Sequence, residues 1–266
     1  MGKYLLWIII GTAFLSACSQ QRQEPADIIS QEESLQAKNL LQGIWIDSET
    51  EEVTFRAKGD TIYYPDSVSQ PAYFKIVNDT LILGSNHYAI IKQASHLFWF
   101  RNQMGDIVKM NKSDEPNDVL NFVHTHPQIL TSLEEVQKTD SVVLYNGERY
   151  HWYIAINPTK YSVNVSSYNE DGVEVNNAYY DNIIHISVFN GSKRIYSNDF
   201  KKQMYLKQVP ENFLAQSILG NMQFDCIDEN GFHFNATLCI PDGAACYMVS
   251  TDIDFNGQLS LKLIEY

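Results

Sequence analysis

From Gly43 onward the chain alternates short runs of β-forming apolar residues with polar turns. Gly43-Ile44-Trp45-Ile46, Val53-Thr54-Phe55, Thr61-Ile62-Tyr63-Tyr64, Tyr73-Phe74-Lys75-Ile76-Val77 and Thr80-Leu81-Ile82-Leu83 open the series. His87-Tyr88-Ala89-Ile90-Ile91, Leu97-Phe98-Trp99-Phe100 and Asp106-Ile107-Val108-Lys109-Met110 complete it. Lys58-Gly59-Asp60, Asn78-Asp79, Gly84-Ser85-Asn86 and Met104-Gly105 supply the turn chemistry between them. Strands so closely spaced and tightly joined predict an antiparallel meander over residues 37–112, lipocalin-like or a half-barrel.

Asn111-Lys112-Ser113-Asp114-Glu115-Pro116 breaks this pattern, and residues 113–138 read as a linker, with a helix-compatible stretch interrupted at Pro127. β character returns in longer runs at 141–145, 150–156, 161–168, 183–189 and 194–197, with Asn146-Gly147, Asp171-Gly172 and Asn190-Gly191 as turns. One helix is expected after Pro210, with Phe213, Leu214, Ser217 and Ile218 on one face and Gly220 at its stop. Two hairpins close the chain, at 222–240 and 246–264. The expectation for residues 139–266 is a β-sandwich-like domain with one short C-terminal helix, so the whole chain reads as all-β. The alternative is one continuous structure in which both sheets share a core.

The N-terminus changes the picture of where this fold sits. Lys3, an apolar run from Tyr4 to Ile10, and Leu15-Ser16-Ala17-Cys18 follow the order of a secretory leader. The cysteine after Leu-Ser-Ala resembles a bacterial lipobox, which implies cleavage of residues 1–17 and lipidation of Cys18. The apolar run is too short to remain as a spanning helix. Residues 18–36 are rich in Gln, Glu and Ser and read as a flexible tether. Ser19, rather than an acid, follows the cysteine, which fits an outer-membrane lipoprotein. With no acidic export cluster behind it, the periplasmic leaflet is favoured over the cell surface. The formal charge is −13, so the surface repels phosphate backbones and no nucleic-acid partner is expected. The same charge disfavours peripheral binding to anionic lipid, leaving the acyl chains as the link to the membrane.

Several stretches of the C-terminal half carry a family likeness. They are Tyr179-Tyr180-Asp181-Asn182-Ile183, Phe200-Lys201-Lys202, Ser217-Ile218-Leu219-Gly220-Asn221-Met222-Gln223-Phe224-Asp225, Phe232-His233-Phe234-Asn235-Ala236 and Asp252-Ile253-Asp254-Phe255-Asn256-Gly257-Gln258. In this order they resemble an uncharacterised lipoprotein family of gut Bacteroidales, domain of unknown function 4738, over roughly residues 135–264. The resemblance implies a secreted β protein on the cell envelope and brings no activity or catalytic residues with it.

Candidate chemistry is sparse. Cys239 and Cys246 flank Ile240-Pro241-Asp242-Gly243-Ala244-Ala245. A four-residue turn would set them opposite one another for a disulfide, whereas a bulged Pro-Asp-Gly turn would shift the register and prevent it. Cys226 reads as a small buried hydrophobe. Asp252-x-Asp254-x-Asn256-Gly257 opens like a calcium loop, but the closing acid would fall at Leu263, so a plain hairpin competes and no metal is expected. His124-Thr125-His126 has the spacing of two zinc ligands on a strand without a recognisable third. His151, His185 and His233 stand singly in strand patterns.

Tyr63-Tyr64 and Tyr179-Tyr180 must each point one ring to either face of a strand, making them candidate contact aromatics. No nucleophile elbow, phosphate loop, dinucleotide fingerprint or zinc-protease helix is present, and no cofactor is implied. The expectation is a non-catalytic envelope module that binds a protein or a glycan. The alternative is a lipocalin-like carrier of a small apolar ligand, against which Trp45, Phe55, Phe74, Phe98 and Phe100 look bulky enough to fill the barrel.

Overall fold

A computed structural model describes residues 32–123 and 127–265. The chain starts with a short helix, α1 (Leu35–Leu41), capped by the Ser34 hydroxyl, which accepts the Ala37 N–H at 3.3 Å. The stretch read as a tether therefore gives way to helix at Leu35. A seven-residue helix is too short to declare itself by periodicity.

The strands that follow are β1 (Gly43–Asp47), β2 (Val53–Lys58), β3 (Thr61–Tyr63), the two-residue β4 (Ser69–Gln70), β5 (Ala72–Val77), β6 (Thr80–Leu83), β7 (Asn86–Gln93), β8 (Leu97–Arg101) and β9 (Ile107–Lys112). All except β4 pair in the order β1-β2-β3-β5-β6-β7-β8-β9, and β9 returns to β1. The result is a closed, lipocalin-like antiparallel barrel. Alternate residues point inward, and Trp45, Phe74, Tyr88, Phe98 and Phe100 are wholly buried there. Trp45 meets Phe98 at 5.8 Å between ring centroids, and Phe98 meets Phe100 at 5.3 Å, so aromatic rings occupy the interior. Helix α1 sits at the end where β1 starts and β2 finishes. Leu41 is buried in the barrel core, and its carbonyl accepts the Trp45 indole N–H at 2.7 Å.

After a 3₁₀ turn at Pro116–Phe122 come β10 (Leu130–Thr131), β11 (Gln137–Tyr145), β12 (Glu148–Tyr168), β13 (Glu174–Asn190) and β14 (Lys193–Phe200). The two runs expected at 150–156 and 161–168 are one strand, whose register shifts between Pro158 and Ser162. Proline cannot donate to the ladder, and the bulge absorbs it. Near their outer end β12 and β13 pair with β11 and β14. Beyond the bulge β13 takes β10 and β4 as neighbours.

The last elements are α2 (Glu211–Gln216), β15 (Ile218–Asp228), β16 (Gly231–Cys239), β17 (Cys246–Ile253) and β18 (Leu259–Leu263), the four strands forming one sheet in chain order. Trp152, Ile154, Ile184, Ile186 and Val188 pack on Phe232, Phe234, Leu238 and Val249. This is a sandwich core of two sheets. Helix α2 follows Pro210, as its sequence predicts, and buries Leu214 against it, but it ends at Gln216: Ser217 is already extended, Ile218 opens β15, and Gly220 lies within that strand rather than at the helix stop.

The β12–β13 turn joins the two regions. Val173 and Val175 are buried in the barrel core, at the end opposite α1. Glu174 lies between them, 4% exposed. Its carboxylate accepts from Asn86 Nδ2 at 2.7 Å, its carbonyl from the Tyr64 hydroxyl at 3.1 Å, and its N–H donates to Tyr88 Oη at 2.7 Å. The turn ends in Gly172 at φ +68°, where a Cβ would come within 2.7 Å of Asn102 Nδ2. Glu33–Tyr266 forms one compact unit.

Candidate functional site

The alternation that buries Trp152 and Ile184 turns His151, Tyr153, His185, Ser187 and Phe189 to the outer face of the second sheet. Asp140 on β11 and Asp199 on β14 join them from the flanking strands. Asp140 Oδ2 lies 3.0 Å from His151 Nε2, and Asp199 Oδ1 lies 2.6 Å from His185 Nδ1. Each histidine also meets an aromatic ring: His151 stacks on Phe189 and His185 tilts against Tyr153, both at 6.4 Å. A shallow depression beside them is lined by Val136, Lys138, Tyr153, Asn157, His185 and Asp199. The face thus offers rings, paired carboxylates and imidazoles within one surface.

Ser197 Oγ lies 3.3 Å from His185 Nε2, on the other side of the imidazole from Asp199. This has the connectivity of a nucleophile relay. Its setting differs from that of a working one: Asp199 is 62% exposed at the side chain, and a regular strand presents Ser197 to open solvent. Water therefore competes for the Asp199 and Ser197 ends of these bonds.

A third histidine lies on the other sheet. His233 Nδ1 is 2.8 Å from Asp252 Oδ1 and its Nε2 is 2.9 Å from Asp228 Oδ1. A neutral imidazole has one N–H, so serving both carboxylates as a donor requires the doubly protonated ring. Burial pulls the His233 pKa down, but the bonds to Asp228 and Asp252 outweigh it and the pKa is raised. The bond to His233 likewise draws Asp228 down to about 2. Cys226 is directly opposite His233 across the β15–β16 ladder, yet it is exposed rather than buried. The register shift between Phe224 and Cys226 turns the thiol outward and corrects the expectation of a small core residue. Burial, then Asp225 and Asp228, raises its pKa, which is the wrong direction for a nucleophilic thiolate.

The residues singled out from sequence fall in different places. Tyr63 points out at 36% exposed, while Tyr64 points in and donates to the Glu174 carbonyl at the β12–β13 turn. Tyr179 is buried with its hydroxyl donating to Asp242; burial, then that bond, raises its pKa to about 12. Tyr180 is half-buried beside Thr131 and Lys160. The four rings do not form one surface. Cys239 and Cys246 are opposite one another and bonded. Ile240 N–H donates to the Ala245 carbonyl at 3.1 Å, so the turn is the four-residue form Pro241–Ala244. Asp252 is engaged by His233 and by the Ser250 hydroxyl, and Asp254 accepts the N–H groups of Asn256 and Gln258. Asp252 and Asp254 are thus engaged in hydrogen bonds within and beside the hairpin. Cys18 and His124-Thr125-His126 lie outside the described residues.

One family's sequence pattern, Domain of unknown function (DUF4738), matches residues 115–261. The chain belongs to this family. No curated protein matches it. The DUF4738 region begins at the 3₁₀ turn after the barrel and runs into β18, so it contains the outer face, the His233 clamp, the disulfide and the plugging turn. The three histidine–carboxylate groupings were missed in the sequence because each depends on cross-strand register. The one signal available was a histidine and an aspartate on opposite arms of two hairpins: Asp140 and His151 flank Asn146-Gly147, and His185 and Asp199 flank Asn190-Gly191.

Proposed function

We propose that the protein is a lipid-anchored, non-catalytic binding module of the cell envelope that recognises a glycan on the outer face of its second sheet. The observation that carries this reading is the pairing of rings with charged hydrogen-bonding groups on one exposed surface. His151–Phe189 and Tyr153–His185 offer apolar ring faces to a sugar, and Asp140, Asp199 and Ser197 offer acceptors and donors to its hydroxyls. Anchorage through Cys18 and a place in the outer membrane are part of the same proposal, and rest on the leader pattern in the sequence. The carrier alternative loses ground, since Trp45, Phe74, Tyr88, Phe98 and Phe100 take up the interior such a ligand would need.

Affinity electrophoresis through gels containing envelope or host polysaccharides tests the reading. Retardation by at least one polysaccharide is expected, and Tyr153→Ala with Phe189→Ala should abolish it while leaving the thermal melt intact. Retardation unchanged by that pair, or binding only to a protein, would overturn the glycan assignment. Covalent labelling of Ser197 by a fluorophosphonate would overturn the non-catalytic one.

A further inference from the structure

We infer that the free edge of β11 is a self-complementary seam at which two copies of this chain pair antiparallel about Thr139. This stands independently of the glycan reading. β11 pairs with β12 along one side, and its nine residues are almost all exposed. Among the described residues no strand pairs with its other side. An exposed edge of this length is a template for another strand, and natural proteins either block it or use it.

The side chains along the edge say which. Val136, Lys138, Asp140 and Val142 all face outward: Val136 and Lys138 line the depression with His185, Asp140 bonds His151, and Val142 lies opposite His151 in the ladder. In an antiparallel pairing centred on Thr139, Val136 meets Val142 of the second copy and Lys138 meets its Asp140, each twice. Val136 is 45% and Val142 is 48% exposed in the single chain, so both apolar pairs gain cover. The described lysines that pair with carboxylates are Lys38 and Lys262, which leaves the Lys138 ammonium in water. Asp140 bonds His151 through Oδ2, so Oδ1 remains for a lysine.

The register is specific. Moving the centre to Lys138 sets lysine against lysine and Val136 against Asp140. Moving it to Asp140 sets aspartate against aspartate. Centring on Ser141 puts Lys138 against Leu144 and Asp140 against Val142. Facing side chains must share a face of the sheet, so the centre lies on a residue. Only Thr139 matches charge with opposite charge and valine with valine. The symmetry is a two-fold perpendicular to the sheet, an isologous contact. It keeps both outer faces on the same side and makes one continuous sheet from two copies. The seam is short compared with a standard interface, so the dimer should be weak in dilute solution and favoured where copies are concentrated on a surface.

The two-fold sets Thr139 against itself, which gives a direct test in the full chain. In a Cys226→Ser background, Thr139→Cys oxidised in isolated membranes should give a disulfide dimer on a non-reducing gel. Ser260→Cys, on another sheet, should not. Adding Lys138→Asp should lower the dimer yield roughly 10- to 30-fold, since two attractive pairs become two repulsive ones. Adding Asp140→Lys as well should restore it. Sedimentation equilibrium of the unmodified chain in detergent should show a concentration-dependent dimer. A monomer at every concentration up to roughly 100 μM, above the micromolar range of weak interfaces, would overturn the proposal. So would a Thr139→Cys dimer whose yield ignores Lys138→Asp, or a double reversal that melts like the parent yet fails to restore it.

Discussion

Tyr88 Oη accepts the backbone N–H of Glu174 at 2.7 Å, tying a wholly buried barrel residue to the tip of a hairpin 86 residues further along the chain. Tyr64 and Asn86 hold the same residue by its carbonyl and its carboxylate. The hairpin is therefore a structural part of the barrel and not a loop lying over it.

Tyr88→Phe removes one partner of a buried amide and should cost about 1–2 kcal/mol. Gly172→Ala forces a Cβ into a left-handed backbone position against Asn102 and should cost about 1–3 kcal/mol. Both should shift a single urea transition monitored by tryptophan fluorescence. Two separated transitions in the parent protein would show instead that barrel and sandwich unfold independently.

The His233 clamp predicts a window of pH. His233 is raised in the folded state, so its contribution is complete below the unfolded pKa of about 6.5 and is lost as pH climbs through the folded value. Asp228 is depressed to about 2, so its contribution is complete above the unfolded value of about 3.9 and is lost as pH falls towards 2. The stability difference between the parent and His233→Gln should therefore be largest between about pH 4 and 6.5 and shrink on both sides. Urea midpoints across that range measure it; a flat difference would contradict the doubly protonated ring. An NMR titration of His233 should give a pKa above that of a free histidine.

Thiol counting on denatured, unreduced protein should find Cys226 reactive and Cys239 and Cys246 blocked. The bond closes a short loop, with a sequence separation of 7. Its removal by Cys239→Ser with Cys246→Ser should cost about 2 kcal/mol or less. The barrel should be unaffected, because the turn joins the two central strands of another sheet and contributes nothing to the barrel core.

Cys18→Ser tests the proposed anchor. The variant should leave the membrane fraction after a high-salt wash, since an acidic surface supplies no electrostatic attachment of its own. Retention on membranes would reject lipidation at that position.

Much of the fold was legible because strand existence is local. Trp45, Phe74 and Phe98 each alternate with outward residues, and the Gly-Asp and Asn-Asp turns between them fix short antiparallel connections. The start of the helix after Pro210 was legible for the same reason, but its end was not, because Ile218 and Gly220 belong to β15. Pro158 hid the continuity of β12, because a proline inside a run argues for a break unless a bulge absorbs it. The site was illegible for a different reason. His185 and Asp199 are 14 residues apart, and only the register of β13 on β14 brings their side chains within 2.6 Å. Val173 and Val175 look like ordinary strand residues, and nothing near them says that their apolar surface belongs to a barrel finished at Lys112.

That separation sets the order in which the molecule can be completed. The barrel strands emerge first during synthesis, from Gly43 to Lys112, but the residues that stopper their open end arrive only with Val173 and Val175. Until then the nascent chain holds a ring of aromatic side chains with one unsealed mouth, and Tyr64 and Tyr88 lack the partners they are shaped for. A chain halted before Glu174 should behave as a sticky intermediate rather than an independent domain. The long hairpin is thus the element whose arrival seals the barrel core.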